Sequence, residues 1–433
     1  MISMKNISWK RNLIVLWITQ FLSSCGFALS LPFTPFFLRE CIGVAPEQKI
    51  QIYAALAATL SSVSLAILAP IWGTLSDRFG RKSMVIRATW GGGIILFSIG
   101  FTHTISAFLT LRFMQGIFTG VMGACMTLAI INTPKERAGF VLGAMSSACF
   151  SGEMGGLFLG GLMATTLGYR CTFKLAGIIL FASGFLVLFG AQECFVRPKA
   201  VVHSKARSFY PKETWIKLYP ILGILLITTV TNAARMLDYS QFPLYIEMLN
   251  GGPGIPGAAK WTSWVLCMGS IGAMLSGVIL GKLADKNSKR VAFFSIISAI
   301  LFVLGIAIIP WFLQDIPRHI IHFSSGDFSF MTSILAVMPL RFGYIFFITG
   351  LGPIWNMWLA RMTPKEEQGA MFGWATTFRS VGAICGHLLA GTIVCIIGIR
   401  ALFFASALIL LCLIPMVRRQ FHHVKARMRE IDA

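Results

Sequence analysis

The chain has 433 residues, 56% of them hydrophobic and only 12% charged. A soluble protein of this length keeps roughly a quarter of its residues charged, so a soluble globular enzyme is excluded. The net charge of +21 would suit a nucleic acid only if it were gathered on one surface, and here it is scattered over the turns between apolar runs.

Those runs recur from end to end, each close to the ~20 residues that cross a hydrocarbon layer. Twelve spans are expected. The first six are Leu13–Phe33, Ile52–Ile71, Met84–Phe101, Phe108–Ile130, Phe140–Leu167 and Cys171–Phe189. The second six are Leu218–Met248, Trp261–Leu280, Val291–Leu313, Met331–Trp358, Met371–Ile397 and Ala401–Val417. The first run follows Lys5, Lys10 and Arg11 but is too long for a signal peptide, so it reads as an uncleaved span. With the termini on one side, 26 of the 37 Lys and Arg residues fall on that side and 7 on the other. This asymmetry predicts cytoplasmic termini, with anionic lipid headgroups as the nearest partners of the basic turns. The ten cysteines are dispersed, without paired spacing or histidine neighbours, so no metal and no cofactor is expected. Cys41 and Cys171 both fall in turns on the far side. No nucleophile–base pair suggests an enzyme.

The chain repeats itself. GTLSDRFGRK at Gly73–Lys82 returns as GKLADKNSKR at Gly281–Arg290, displaced by 208. TPKERAGFVLG from Thr133 returns as TPKEEQGAMFG from Thr363, displaced by 230, and Leu111–Phe113 returns as Leu340–Phe342. The shift grows between the third and fourth spans of each half, where the second half carries extra residues around Trp311–Phe328. Residues 1–191 and 218–433 are therefore two parallel six-span bundles joined by a cytoplasmic loop, 192–217. An internal repeat of this kind leaves a central interface across which one half can rock against the other.

The charged turn has its own chemistry. Gly73 lets another helix approach closely, and Asp77 can face the positive N-terminus of a neighbouring helix when that end of the bundle is shut. Gly73, Asp77, Arg78, Gly80, Arg81 and Lys82 stand in the order of the loop signature between spans 2 and 3 of the major facilitator superfamily, which the chain resembles. The resemblance implies a conformational latch there. Asp285 belongs to the weaker copy, where Ser288 replaces the glycine. Arg112-Phe-Met-Gln115-Gly116 resembles the fourth-span motif of the drug:proton antiporter branch, linked to proton coupling. Gly152–Gly161 is similar to the fifth-span antiporter motif, with Leu157 in place of its proline. The opening ISWKRNLIVLW, Ile7–Trp17, and the end of the second half, from Phe378-Arg379 to Gly398-Ile399-Arg400, also resemble the MdtG type of bacterial multidrug exporter.

Ionisable groups inside spans cost at least ~2.5 kcal/mol each and so mark function or pairing. Arg112, Glu153, Arg235, Asp238, Arg341, Arg379 and His387 lie on spans 4, 5, 7, 10 and 11. Glu153, Asp238 and Arg112 are the candidates for proton coupling. Glu153 can carry the proton or form a static pair with Arg112, and Asp238 can pair locally with Arg235, three residues away. Gln115, Arg235, Arg341 and Arg379 are the cavity candidates, and His387 reads as a packing histidine.

The expected molecule is an all-α membrane protein of twelve transmembrane helices, a monomer in a bacterial inner membrane. It exports small lipophilic compounds against protons by alternating access. The alternatives are a carrier of a defined metabolite such as a siderophore-like or organic anion, and a non-transporting sensor.

Overall fold

The computed structural model describes residues 8–131, 133–134, 137–193, 212–252, 258–313, 319–323, 326–330, 332–363 and 368–432. Twelve helical passes run through them. The first is α1 (Trp9–Ser30), continued after a short 3-10 turn by α2 (Thr34–Glu40). Then come α3 (Glu47–Phe79), α4 (Arg81–Ile99), the pair α5 (Ile105–Phe118) and α6 (Val121–Ile131), α7 (Ala138–Leu167) and α8 (Tyr169–Gly190). The second half opens with α9 (Lys212–Leu237) and α10 (Phe242–Leu249). The eighth and ninth passes form one element, α11 (Ala258–Phe312), bent at Asn287, and α12 (Thr332–Met362), α13 (Gln368–Ile396) and α14 (Ala401–Asp432) complete the set. Ten of the passes are long and apolar enough to cross a membrane. The glycine-rich α7 and the basic-ended α4 are the less apolar two.

The extra residues of the second half hold one feature outside the all-helical expectation. His319–Phe323 (β1) and Gly326–Phe330 (β2) pair antiparallel, with His319 opposite Phe330.

Two copies of one design hold each half together. A methyl group at Gly152 or Gly156 on α7 would lie 2.2 Å from the Phe21 or Cys25 carbonyl oxygen of α1. The repeat-related Gly382 and Gly386 on α13 meet the Thr229 and Ala233 carbonyls of α9 in the same way, at 2.3 and 2.7 Å. Spans 5 and 11 therefore pack backbone to backbone on spans 1 and 7, which only glycine permits.

The turns of the two charged repeats differ, and their sequences say why. Gly80 takes φ 88°, a left-handed conformation that suits glycine, between α3 and α4. The second copy has no glycine there and bends instead at Asn287, with φ −154°. At the first turn, the Glu193 carboxylate beyond α8 accepts from the backbone N–H groups of Arg81 and Lys82, each at 2.8 Å. An acid at this half-buried helix start satisfies two orphan donors and the helix dipole together.

Candidate functional site

Three of the passes are broken in mid-course, and the breaks face one another. Span 1 breaks at Leu31–Phe33, span 4 at Thr119–Gly120, where Gly120 takes φ 118°, and span 7 at residues 238–241. A break frees backbone groups that must find other partners in a low-dielectric interior. Thr34 Oγ1 donates to the Leu31 carbonyl at 2.7 Å, and the Ile117 carbonyl accepts from Trp72 Nε1 at 2.8 Å and from Arg87 at 3.1 Å. Discontinuous helices at the repeat interface are where carriers of this architecture hold their cargo.

A cavity of about 230 Å³ opens among the breaks. Its walls come from Phe27, Leu31 and Thr34 of span 1, Ala54 to Leu65 of α3, and Arg112, Gln115 and Thr119 of span 4. Tyr239 and Ser240 of span 7 and His387 of α13 close it. No acidic residue is among them. Arg112 is 5% exposed; one guanidinium nitrogen donates to Gln115 Oε1 at 3.0 Å and another to Thr34 Oγ1. Its Nε has no partner. His387 is buried with its Nδ1 unpartnered, its ring tilted against Tyr239 at 6.4 Å.

A smaller pocket of about 40 Å³ lies on the other side of Tyr239. Glu153 and Leu157 of α7 enter it from the first half, and Arg235, Ser270 and Arg341 enter it from the second. The cations that share this pocket with Glu153 are Arg235 and Arg341. This departs from the expected pairing: Arg112 does not oppose Glu153, because it is turned into the larger cavity towards span 1. A second departure concerns Asp238. It does not pair with Arg235 but accepts from Arg341 on α12, both residues being almost fully buried. The end of α9 at Leu237 puts Asp238 in a turn that aims it across the half instead of down its own helix.

The structure thus gathers Glu153, Arg235 and Arg341 at one pocket, with Asp238 bonded to Arg341, and Arg112 and Gln115 at the next. Arg379 lines neither cavity and donates to Thr376 Oγ1 one turn earlier at 3.1 Å. Of the residues expected to form a latch, Gly80 and Arg81 form the capped turn, while the side chains of Asp77, Arg78 and Asp285, and Gly73, lie outside the described residues. So does residue 194–211 of the central loop. Cys41 and Cys171 are free thiols. Thr34, Tyr239, Ser240 and the serines of α3 were not expected at the site. Pro35 and Pro243, one repeat apart beside two of the breaks, are the sequence signal that marks them.

At the end of the bundle away from the Gly80 turn, the two halves are in contact. Arg39 of α2 meets Glu247 of α10 at 2.5 Å, and Gln241 Nε2 donates to the Gln51 carbonyl at 2.9 Å. Gly161 of α7 lies against Ser263 and Ala259 of α11.

The sequence pattern of the Major Facilitator Superfamily matches residues 16–326. The chain belongs to this superfamily. As a facilitator it is a multi-pass membrane transporter of a small molecule, not an enzyme. The multi-drug resistance efflux pump PmrA of Streptococcus pneumoniae serotype 4 is 28% identical over 417 residues, 94% of each chain. The multidrug resistance protein MdtG of Yersinia enterocolitica serotype O:8 / biotype 1B is 28% identical over 413 residues, 94% of this chain and 92% of that one. The crystal structure of the nucleoside transporter NupG overlays this facilitator with a TM-score of 0.67 at 12% identity, covering 94% of this chain and 98% of that one. At that identity the likeness concerns the fold alone.

Proposed function

We propose that this facilitator exports small, largely apolar molecules across a bacterial inner membrane in exchange for protons, with both termini in the cytoplasm. The observation that carries the reading is the placement of Glu153. A carboxylate on the first half faces two arginines of the second half across the interface that alternating access must open. Protonating Glu153 removes an attraction between the halves, and losing the proton restores it. The proton therefore biases the same two-state equilibrium that moves the cargo, which is what coupling requires. The names of the relatives, efflux pump and multidrug resistance protein, support export. The apolar walls at Phe27, Leu31 and Leu65 suit such a cargo.

The test is transport in proteoliposomes under an imposed pH gradient. Glu153→Gln, a permanent mimic of the protonated form, is expected to keep energy-independent exchange and lose uphill export. Glu153→Asp is expected to keep partial coupling with a shifted pH optimum. Uphill pumping by Glu153→Gln would move the coupling role to Asp238 and leave Glu153 as a structural partner of Arg235 and Arg341.

A further inference from the structure

We infer that the cavity at Arg112 receives an anionic group, a carboxylate, sulfonate or phosphate, borne by an otherwise apolar substrate. The inference rests on the transport reading above and names the substrate class of that site.

The repeat supplies the argument. Arg112 and Arg341 occupy the same place in the repeated Leu-Arg-Phe triplets of spans 4 and 10. In the second half, Arg341 reaches the break of span 7 and finds Asp238. In the first half, Arg112 reaches the break of span 1 and finds only the Thr34 hydroxyl. The residue one repeat before Asp238, at the displacement that relates Gly73 to Gly281, is Ser30. Its side chain is fully buried and its hydroxyl has no hydrogen-bond partner. One half has its acid and the other has a short hydroxyl in the same place.

An arginine is charged at every accessible pH, and a buried charge without a counter-ion is costly. Arg112 has two neutral acceptors, an unpartnered Nε and a cavity of about 230 Å³ beside it with no acid in its wall. Around Arg341, the pocket is about 40 Å³ and the carboxylate is already in place. A planar guanidinium that opens onto free space matches the geometry of an oxyanion, and the rest of the wall, Phe27, Leu31 and Leu65, is apolar. Two sources of the anion share this chemistry: the substrate's own group, or a small inorganic ion such as chloride.

The purified full-length protein, in detergent without a gradient, is titrated with 1-naphthylacetate and with its neutral isostere 1-naphthylacetamide, each in chloride-free buffer and again with chloride. Binding is read from quenching of tryptophan fluorescence and from thermal stabilisation. The expected result is a Kd for the acetate lower by about tenfold or more, the scale of one charge-assisted hydrogen bond. Chloride should weaken the acetate and leave the amide unchanged. Arg112→Gln should bring the two ligands level, and Arg112→Lys should keep part of the difference. Absence of an acetate preference in the unmutated protein overturns the inference without any variant needing to fold. So does a preference that survives in Arg112→Gln. Stabilisation by chloride alone, with no acetate preference, assigns the site to a resident inorganic ion and overturns it as well. Because no gradient is applied, this result is independent of whether Glu153 couples protons.

Discussion

Arg39, in the last turn of α2, is held at 2.5 Å from Glu247 of α10, which belongs to the other half of the molecule. Glu247 is 2% exposed, so the bond is sheltered and its loss is felt. Opening the bundle at this end requires the pair to part. Glu247→Gln is therefore expected to favour the conformer open at that end, raising its population about 5–30-fold for a loss of ~1–2 kcal/mol. The measurement is labelling of a cysteine at Ser62, in the cavity wall, by an impermeant maleimide added from that side, with the native cysteines replaced by serine. The exchanged pair Arg39→Glu with Glu247→Arg should return labelling towards its original rate. An unchanged rate in Glu247→Gln would show that the pair does not hold the end closed.

Asp238 and Arg341 form a buried pair within the second half. Asp238→Asn leaves Arg341 without its counter-charge and is expected to cost about 3–5 kcal/mol of stability. Removing both charges, in Asp238→Asn with Arg341→Gln, should recover most of that loss. Thermal unfolding in detergent reads both. A double variant no more stable than the single one would mean that the pair is not the source of the effect.

The close helix approach on α7 gives a matched pair of substitutions. Gly156→Ala places a methyl group 2.2 Å from the Cys25 carbonyl oxygen, while Gly143→Ala, on the same helix, meets nothing within 4 Å. The first should destabilise by about 1–3 kcal/mol through overpacking and slow transport. The second should stay within about 0.5 kcal/mol of the parent. Equal melting temperatures for the two variants would contradict the packing.

At the charged repeats, Asp77→Asn is expected to weaken closure of the end that carries the Gly80 turn and slow transport while leaving insertion intact. Asp285→Asn, in the copy that has lost its glycine, should do so more mildly. Cross-linking of cysteine pairs across that end of the two halves measures closure, and equal effects at the two sites would remove the asymmetry.

The passes, the repeat and the charged residues inside them were legible in the sequence, because apolar length and internal similarity are local signals. The partners of those residues were not. Asp238 and Arg235 sit one turn apart in sequence, yet the end of α9 at Leu237 takes Asp238 out of that register and hands it to Arg341. Arg112 looked available to Glu153 on the next span until the break of span 1 brought Thr34 to it. Arg39 and Glu247 drew no notice, since each lies near the end of an apolar run where a charge costs little. The cavity wall was hidden for another reason: Thr34, Ser61, Ser62 and Ser240 are small hydroxyl residues of a kind common throughout apolar helices, and only the breaks distinguish them.

The Glu193 carboxylate has a mechanical consequence. It is tied to the first two backbone N–H groups of α4, and Gln192 just before it exchanges hydrogen bonds with Asn12 at 2.7 and 2.8 Å. The chain thus leaves the first half for the second from a point fastened to the start of α1 and the start of α4, not from a free helix end. A displacement of Gln192 or Glu193 would therefore reach these two helices and the Gly80 turn between α3 and α4. The exit of the first half is thus anchored on the same turn that carries the first charged repeat.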